Sequence, residues 1–209
     1  VGGRPVRLEI SREETISGTR TRHAIKGKCK GLVTKDGRIL ARKLDAYANN
    51  GAYASHGHAI VANAVTGFRQ TYPDVLAHRS EAWTVYTNLG STGAMRGYGI
   101  PQCNFAGECM MDDIAREMGW DPLEFRLKNS MPLGYVDPTN GITCHSTGLR
   151  DCIRKGADFI RWRELREKYA HETGAIRRGV GMAVFSYKTG VWPISLETSS
   201  ARIILNQDG

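Results

Sequence analysis

Thr87-Asn88-Leu89-Gly90-Ser91-Thr92-Gly93-Ala94-Met95-Arg96-Gly97-Tyr98-Gly99-Ile100-Pro101-Gln102 is the stretch on which the reading of this 209-residue chain depends. Four glycines surround one arginine and one aromatic residue there. Glycine tolerates positive φ and lets a ligand approach the main chain, so such a loop can offer backbone N–H groups to an oxyanion or a metal-oxo ligand. The backbone, rather than the side chains, is then the binding surface. Tyr98, two residues after Arg96, is placed to lay its ring along a flat substrate. From spacing alone, the stretch reads equally well as a surface turn with a solvated Arg96 and a packing Tyr98.

The flanks say how the loop is delivered. Val75 to Tyr86 reads as a strand with Trp83 and Val85 on one face. Pro101 suits the first position of a helix, where its missing N–H costs nothing. Cys103, Ala106, Met110, Ile114 and Met118 then recur at spacings of three and four, one apolar stripe, with Asn104, Glu108 and Asp112 on another side. The methionines read as core filling rather than as a metal or haem box.

Farther out, Pro5 to Ile10 alternates apolar and polar residues as a half-buried strand does. Ser11 and Glu14 form a capping box that opens a short helical turn. His23–Val33 and Arg38–Tyr53 read as two strands joined by a hairpin at Lys35-Asp36-Gly37, with a bulge at Asn49-Asn50-Gly51. His56 to Val65 reads as a short helix, and His56 and His58, two apart, do not make the zinc-binding i, i+4 pair. Asp121-Pro122 with Glu124 opens a helix running to about Asn129. Residues 130–148 are irregular, and Leu149 to His171 returns to helix. Arg178–Tyr187 and Ile194–Leu205 read as a final pair of strands around Gly190-Val191-Trp192-Pro193. The acid pairs Asp112-Asp113 and Glu13-Glu14 diverge on their helices and read as solvated. The fold class is α+β, with mixed sheets and packed helices.

A composition 41% hydrophobic and 24% charged is globular. No apolar run approaches a membrane span, and the N-terminus lacks a signal-peptide core, which reads as a soluble cytoplasmic protein. The five cysteines, Cys29, Cys103, Cys109, Cys144 and Cys152, include no Cys-x-x-Cys pair and read as reduced thiols. All of the net charge of +8 lies in residues 1–43, with twelve Lys/Arg and four Asp/Glu. That basic segment reads as a solvated or subunit-facing sheet surface, and the lack of any nucleic-acid motif argues against a nucleic-acid face. No phosphate-binding P-loop, metalloprotease or nucleophile-elbow motif competes with the glycine loop.

Thr87-Asn88-Leu89 with Ala94-Met95-Arg96-Gly97-Tyr98-Gly99-Ile100-Pro101-Gln102 resembles the arginine-glycine loop of the molybdenum hydroxylases, the xanthine dehydrogenase and aldehyde oxidase family. Gly3-Arg4-Pro5-Val6-Arg7-Leu8 with Ser11-Arg12-Glu13-Glu14, and Asp121-Pro122-Leu123-Glu124-Phe125-Arg126-Leu127-Lys128-Asn129, resemble other segments of that family's molybdenum-binding subunit, in order. The resemblance implies a molybdenum-pterin cofactor, as molybdopterin or its cytosine dinucleotide form, held by Met95, Arg96 and Gly97, with the Arg96 backbone N–H against the metal's ligand sphere. It puts Tyr98 on the substrate and gives Gly99 and Gln102 supporting roles. It implies no catalytic residue in this chain, because the family's general-base glutamate lies in a glycine-rich motif that does not occur here.

By the same resemblance the activity is hydroxylation of an N-heteroaromatic ring, a purine such as hypoxanthine or xanthine, with water as oxygen source. Electrons then leave through iron–sulfur clusters and FAD on partner subunits or domains. Carbon monoxide dehydrogenases carry a cysteine at the place of Gly97, which points away from that branch. The arginine that orients purine in vertebrate members has no counterpart in Ala62-Asn63-Ala64-Val65, and this keeps nicotinate, hydroxybenzoyl-CoA and aldehydes open as substrates. The family's flanking cofactor motifs are absent, so the chain reads as a middle fragment, inactive alone, that needs the rest of the molybdenum subunit. Its expected divisions are residues 1–130, the first part of the cofactor-binding region with the loop at 87–102; 131–148, a connector; and 149–209, a second part cut short. The rival readings are a non-catalytic basic binding module and a subunit-docking module.

Overall fold

The computed structural model describes residues 2–187 and 200–207. The elements follow in the order α1 (Arg12–Gly18), β1 (Ile25–Val33), β2 (Ile39–Gly51), α2 (Gly57–Gln70), β3 (Ala77–Tyr86), α3 (Ile100–Glu117), α4 (Pro122–Asn129), α5 (Leu149–Phe159) and α6 (Trp162–Ala170). β1 and β2 form the antiparallel hairpin expected at Asp36-Gly37, and β3 lies parallel to β2 on its other edge. A parallel neighbour requires a crossover, and α2 supplies it. The fold is α+β with a mixed sheet and packed helices, as the sequence indicates.

Alternation along β2 decides which face is core. Leu44, Ala46 and Ala48 point inward and are buried, while Lys43, Asp45 and Tyr47 point outward. Inside, Leu44 and Ala46 meet Ala64 and Phe68 of α2 and Cys103 and Met110 of α3. Outside, Tyr47 stacks on Trp83 with ring centroids 4.7 Å apart. A second cluster joins Met111 and Ala115 on the far side of α3 to Leu123, Phe125, Ile153, Trp162 and Val184.

Several expectations are corrected. Residues 5–10 form no strand: Val6 and Leu8 are exposed and the segment finds no ladder partner among the described residues. Alternation needs a surface to pack on before it makes a strand. The helix read as ending at Val65 continues to Gln70, and Gly67 within it lets the Ile100 side chain pack where a Cβ would lie 2.1 Å away. The single helix read over Leu149–His171 breaks at Arg161, which has φ +51. That break drops the Trp162 indole into the core, where its Nε1–H faces the Asp121 carboxylate at 3.2 Å. Among the described residues Arg178–Tyr187 and 200–205 carry no strand pairing; the turn at Gly190-Val191-Trp192-Pro193, with Ile194–Ser199, lies outside them.

α3 is buried on two sides rather than one. Glu108, read as part of the polar side, is 5% exposed. Its carboxylate accepts from Arg126 Nε at 2.8 Å, the Tyr72 hydroxyl at 2.7 Å and the Val184 N–H at 2.9 Å. Asp112, read as solvated, accepts from Arg126 Nη1 at 2.7 Å. A helical wheel shows one neighbouring surface, whereas α4, started by the Asp121 cap, lays a fully buried arginine over the other. Arg42, also buried, donates from Nη1 to the Phe68 and Tyr72 carbonyls at the end of α2 at 2.8 and 3.2 Å. A cation there complements the helix C-terminus, and burial pulls its pKa down to about 10. Arg69 grips Asp137 with two arms, at 2.7 and 2.6 Å, and ties the 130–148 loop to α2. Those bonds hold the Asp137 carboxyl down at about 2.

Arg126→Met leaves Glu108 buried without its cation and is expected to cost about 3–5 kcal/mol in urea unfolding. Arg116→Ala, which removes an exposed pair with Asp113, is expected to cost less than about 1 kcal/mol. Burial first, and the nearby Arg42 and Arg69 charges second, pull His78 down to about 4 from its ordinary 6.5. The folded chain therefore excludes a proton that the unfolded chain takes up. Stability from this group is complete above 6.5 and declines as the pH falls toward 4, and thermal melts of His78→Gln should show a shallower decline over that window.

Candidate functional site

The loop leaves β3 laced to the bulge in β2. The Thr87 N–H donates to Gly51 O at 3.0 Å and the Thr92 N–H to Asn50 O at 3.2 Å. The Thr92 hydroxyl reaches Asn49 O at 3.1 Å and the Gly93 N–H reaches Thr21 O at 2.9 Å. The register shift falls between Asn49 and Gly51, where the sequence places a bulge.

Two fused turns follow. The Tyr98 N–H closes the first on Met95 O at 2.8 Å, and the Ile100 N–H closes the second on Gly97 O at 2.9 Å. Gly97, Tyr98 and Gly99 all have positive φ, at +93°, +44° and +93°. Gly97 gives the first turn type II character, and Tyr98 with Gly99 gives the second the type I′ pattern. Both glycines are required: a Cβ on Gly99 would lie 2.3 Å from the Ile60 carbonyl oxygen, and one on Gly97 2.7 Å from the Pro101 ring. Tyr98 is a non-glycine residue in the left-handed region, a conformation that persists only when neighbours over-determine it. Its hydroxyl lies 3.0 Å from His56 Nδ1, and its carbonyl accepts from Asn63 Nδ2 at 2.8 Å. Desolvation, with the Tyr187 hydroxyl nearby, raises the Tyr98 phenol pKa against the pull of Arg20, so the ring stays neutral.

The other side of the loop is held by Arg22. Its Nη2 donates to Arg96 O at 2.7 Å and its Nη1 to Gln102 Oε1 at 3.3 Å. Gln102 Nε2 donates to His23 O at 3.1 Å. The His23 ring, buried, faces Asn50 Oδ1 through Nε2 at 3.1 Å, and burial lowers its pKa. Arg20 Nη1 donates to Ser55 Oγ at 3.0 Å beside His56.

The structure thus brings Arg96, Gly97, Tyr98, Gly99 and Gln102 together at the start of α3, with Met95 and Arg96 exposed. Among the described residues the N–H groups of Ala94, Met95, Arg96 and Gly97 meet no acceptor, which leaves a row of backbone donors. Also among the described residues, no group of three or more His, Cys, Asp or Glu could hold a metal. Backbone N–H groups donate hydrogen bonds and do not ligate a metal, so a row of them fits an oxo-metal group carried on a pterin. His56 and His58 do not converge on a ligand; His56 serves Tyr98. Arg22, Asn63 and His56 escape sequence reasoning because each lies 35 or more residues from its partner in the loop, and no spacing rule reaches that far.

The basic N-terminal segment is dispersed. Lys26, Lys28 and Lys30 line the outer face of β1, Arg42 is buried, and Arg20 and Arg22 face the loop. On the neighbouring strands Lys43 pairs with Asp45 at 2.8 Å and Arg79 pairs with Glu81. No helix among the described residues is long and apolar enough to cross a membrane.

The profile of the molybdopterin cofactor-binding domain family matches residues 1–130. Over its whole length the chain is 44% identical to the putative xanthine dehydrogenase molybdenum-binding subunit of Escherichia coli, of which it spans 28%. It is 34% identical over 157 residues, 74% of the chain, to the nicotinate dehydrogenase large molybdopterin subunit of Eubacterium barkeri, covering 36% of that protein. Among solved structures, the aldehyde oxidoreductase of Desulfovibrio gigas matches with a TM-score of 0.69 at 31% identity, over 78% of this chain and 18% of that one.

Gly99→Ala combines positive φ with a clash against α2 and is expected to lower stability by about 1–3 kcal/mol, read as a fall in thermal midpoint. Gly90→Ala, with nothing within 4 Å of the new Cβ, should leave the midpoint unchanged.

Proposed function

The chain belongs to the molybdopterin cofactor-binding domain family, and on that premise we propose that it is the loop-bearing segment of a molybdenum hydroxylase acting on an N-heteroaromatic substrate. The row of free N–H donors at the double turn carries this reading. When bound, the molybdenum-pterin cofactor supplies the redox chemistry, and the protein supplies position and shape. The main chain at Met95, Arg96 and Gly97 holds the group, with the Arg96 N–H toward the metal's ligands. Tyr98, fixed by His56 and Asn63, presents a neutral ring for a flat substrate to stack on, while Gly99 and Gln102 support the loop. Residues 1–130 form the first part of the cofactor-binding region, 131–148 a connector and 149–209 part of the next.

The base is not here. The family resemblance puts the general-base glutamate in a segment other than these residues, and Glu108, the buried carboxylate of α3, is already engaged by Arg126, Tyr72 and Val184; on this reading the chain alone is inactive. Iron–sulfur and FAD carriers sit on partner subunits or domains. The free cysteines suit a reducing cytoplasm. Purine, as hypoxanthine or xanthine, is the favoured substrate, supported by the 44% identity to a subunit named as a putative xanthine dehydrogenase component. Arg20 beside Tyr98 offers a cation at the loop edge, an observation that favours a carboxylated ring such as nicotinate as the second reading.

The test is turnover by the native-source enzyme carrying this chain, with hypoxanthine, xanthine, nicotinate and benzaldehyde and a dye acceptor. A kcat/KM on purine above the others supports the first reading, preference for nicotinate the second, and no turnover of any ring contradicts both. Tyr98→Ala should raise KM about two- to tenfold, the worth of roughly 0.5–1.5 kcal/mol of ring stacking.

A further inference from the structure

The turn over Met95–Tyr98 contains one peptide whose direction its own hydrogen bond does not fix. Type I and type II turns share the closing bond and differ by about a half-rotation of the central peptide, here Arg96–Gly97. Glycine at 97 accepts either φ, so the local sequence leaves the choice open. The structure shows type II, with Gly97 at φ +93°.

What holds that peptide comes from 74 residues upstream. Arg22 Nη2 donates to Arg96 O at 2.7 Å, a charge-assisted bond. The other arm of the same guanidinium is anchored on Gln102 Oε1 at 3.3 Å, and Gln102 is tied back to His23 O at 3.1 Å. The peptide is planar and trans, so its C=O and N–H point in opposite directions. Fixing Arg96 O on Arg22 therefore turns the Gly97 N–H to the opposite side. The Arg96 N–H belongs to the preceding peptide, whose carbonyl, Met95 O, is already held by the Tyr98 N–H at 2.8 Å. The device recurs in the second turn, where the carbonyl of the central Tyr98–Gly99 peptide is held by Asn63 at 2.8 Å.

We infer that Arg22 is a positioning residue that selects the type II orientation of the Arg96–Gly97 peptide and so aims the Gly97 N–H away from itself, as a second backbone donor beside the Arg96 N–H. The inference rests on the reading of the loop as a cofactor site only for what those donors meet. A planar fork is needed to span two acceptors; lysine can reach one but not both.

The orientation is read by NMR on the isotope-labelled 209-residue chain, with no cofactor present. Type II geometry brings the Arg96 Hα close to the Gly97 amide proton, whereas type I brings the two amide protons together. The wild type should show the strong Hα-to-amide cross-peak. In Arg22→Met its ratio to the amide–amide cross-peak should fall several-fold, and in Arg22→Lys by less, with thermal midpoints unchanged because Arg22 is exposed. A wild-type ratio in Arg22→Met overturns the inference, whatever the cofactor does. A changed ratio supports it even if the native enzyme carrying the same substitution keeps full molybdenum, a result that would count against the loop as cofactor donor and not against Arg22 as its guide.

Discussion

Three successive residues with positive φ stand between β3 and α3, and most of the surrounding structure serves to keep them there. Such a run has no stability of its own: Tyr98 pays a steric cost, and the two glycines bring conformational freedom that must be frozen. The restraint comes from three directions. α2 presses the Ile60 carbonyl against Gly99, Asn63 and His56 take the two polar ends of Tyr98, and Arg22 takes the Arg96 carbonyl. Each depends on β2, α2 and the 19–24 segment being in register, so the site is a property of the whole βαβ unit rather than of a motif.

The buried polar groups explain how that unit stays rigid. Arg42 satisfies the end of α2 from inside the sheet, and Arg126 satisfies Glu108 between α3 and α4. Both arginines are nearly inaccessible: Arg42 joins β2 to α2, two elements that both touch the loop, and Arg126 joins α3, which leaves the loop, to α4. Burying such charges gains little net stability over an apolar core, yet breaking one partnership is costly. The arrangement therefore favours one relative placement of α2 and α3, and that placement fixes where the double turn points.

The sequence made legible what is local. The strands β1 and β2, the Asp36-Gly37 hairpin, the Asn49–Gly51 bulge, the Ser11 and Asp121 caps and the place of the loop before α3 are all readable from spacing or resemblance. Long-range pairings were not. Glu108 looked polar because its partner Arg126 is 18 residues away on another helix, and Trp162 looked like one more helical position because nothing local announces the break at Arg161. Residues 5–10 show the reverse error, a period without a surface to bury it. Arg22 was counted only as charge, although its geometry matters more to the loop than its sign.

The central claim is that the loop's main chain holds a molybdenum group that brings its own ligands. The most direct measurement is elemental mass spectrometry of the native-source protein carrying this chain, together with release of the pterin. Molybdenum and pterin near one per chain is the result this account predicts. A folded, full-length native protein with neither would contradict it, and would leave the double turn as architecture without a ligand.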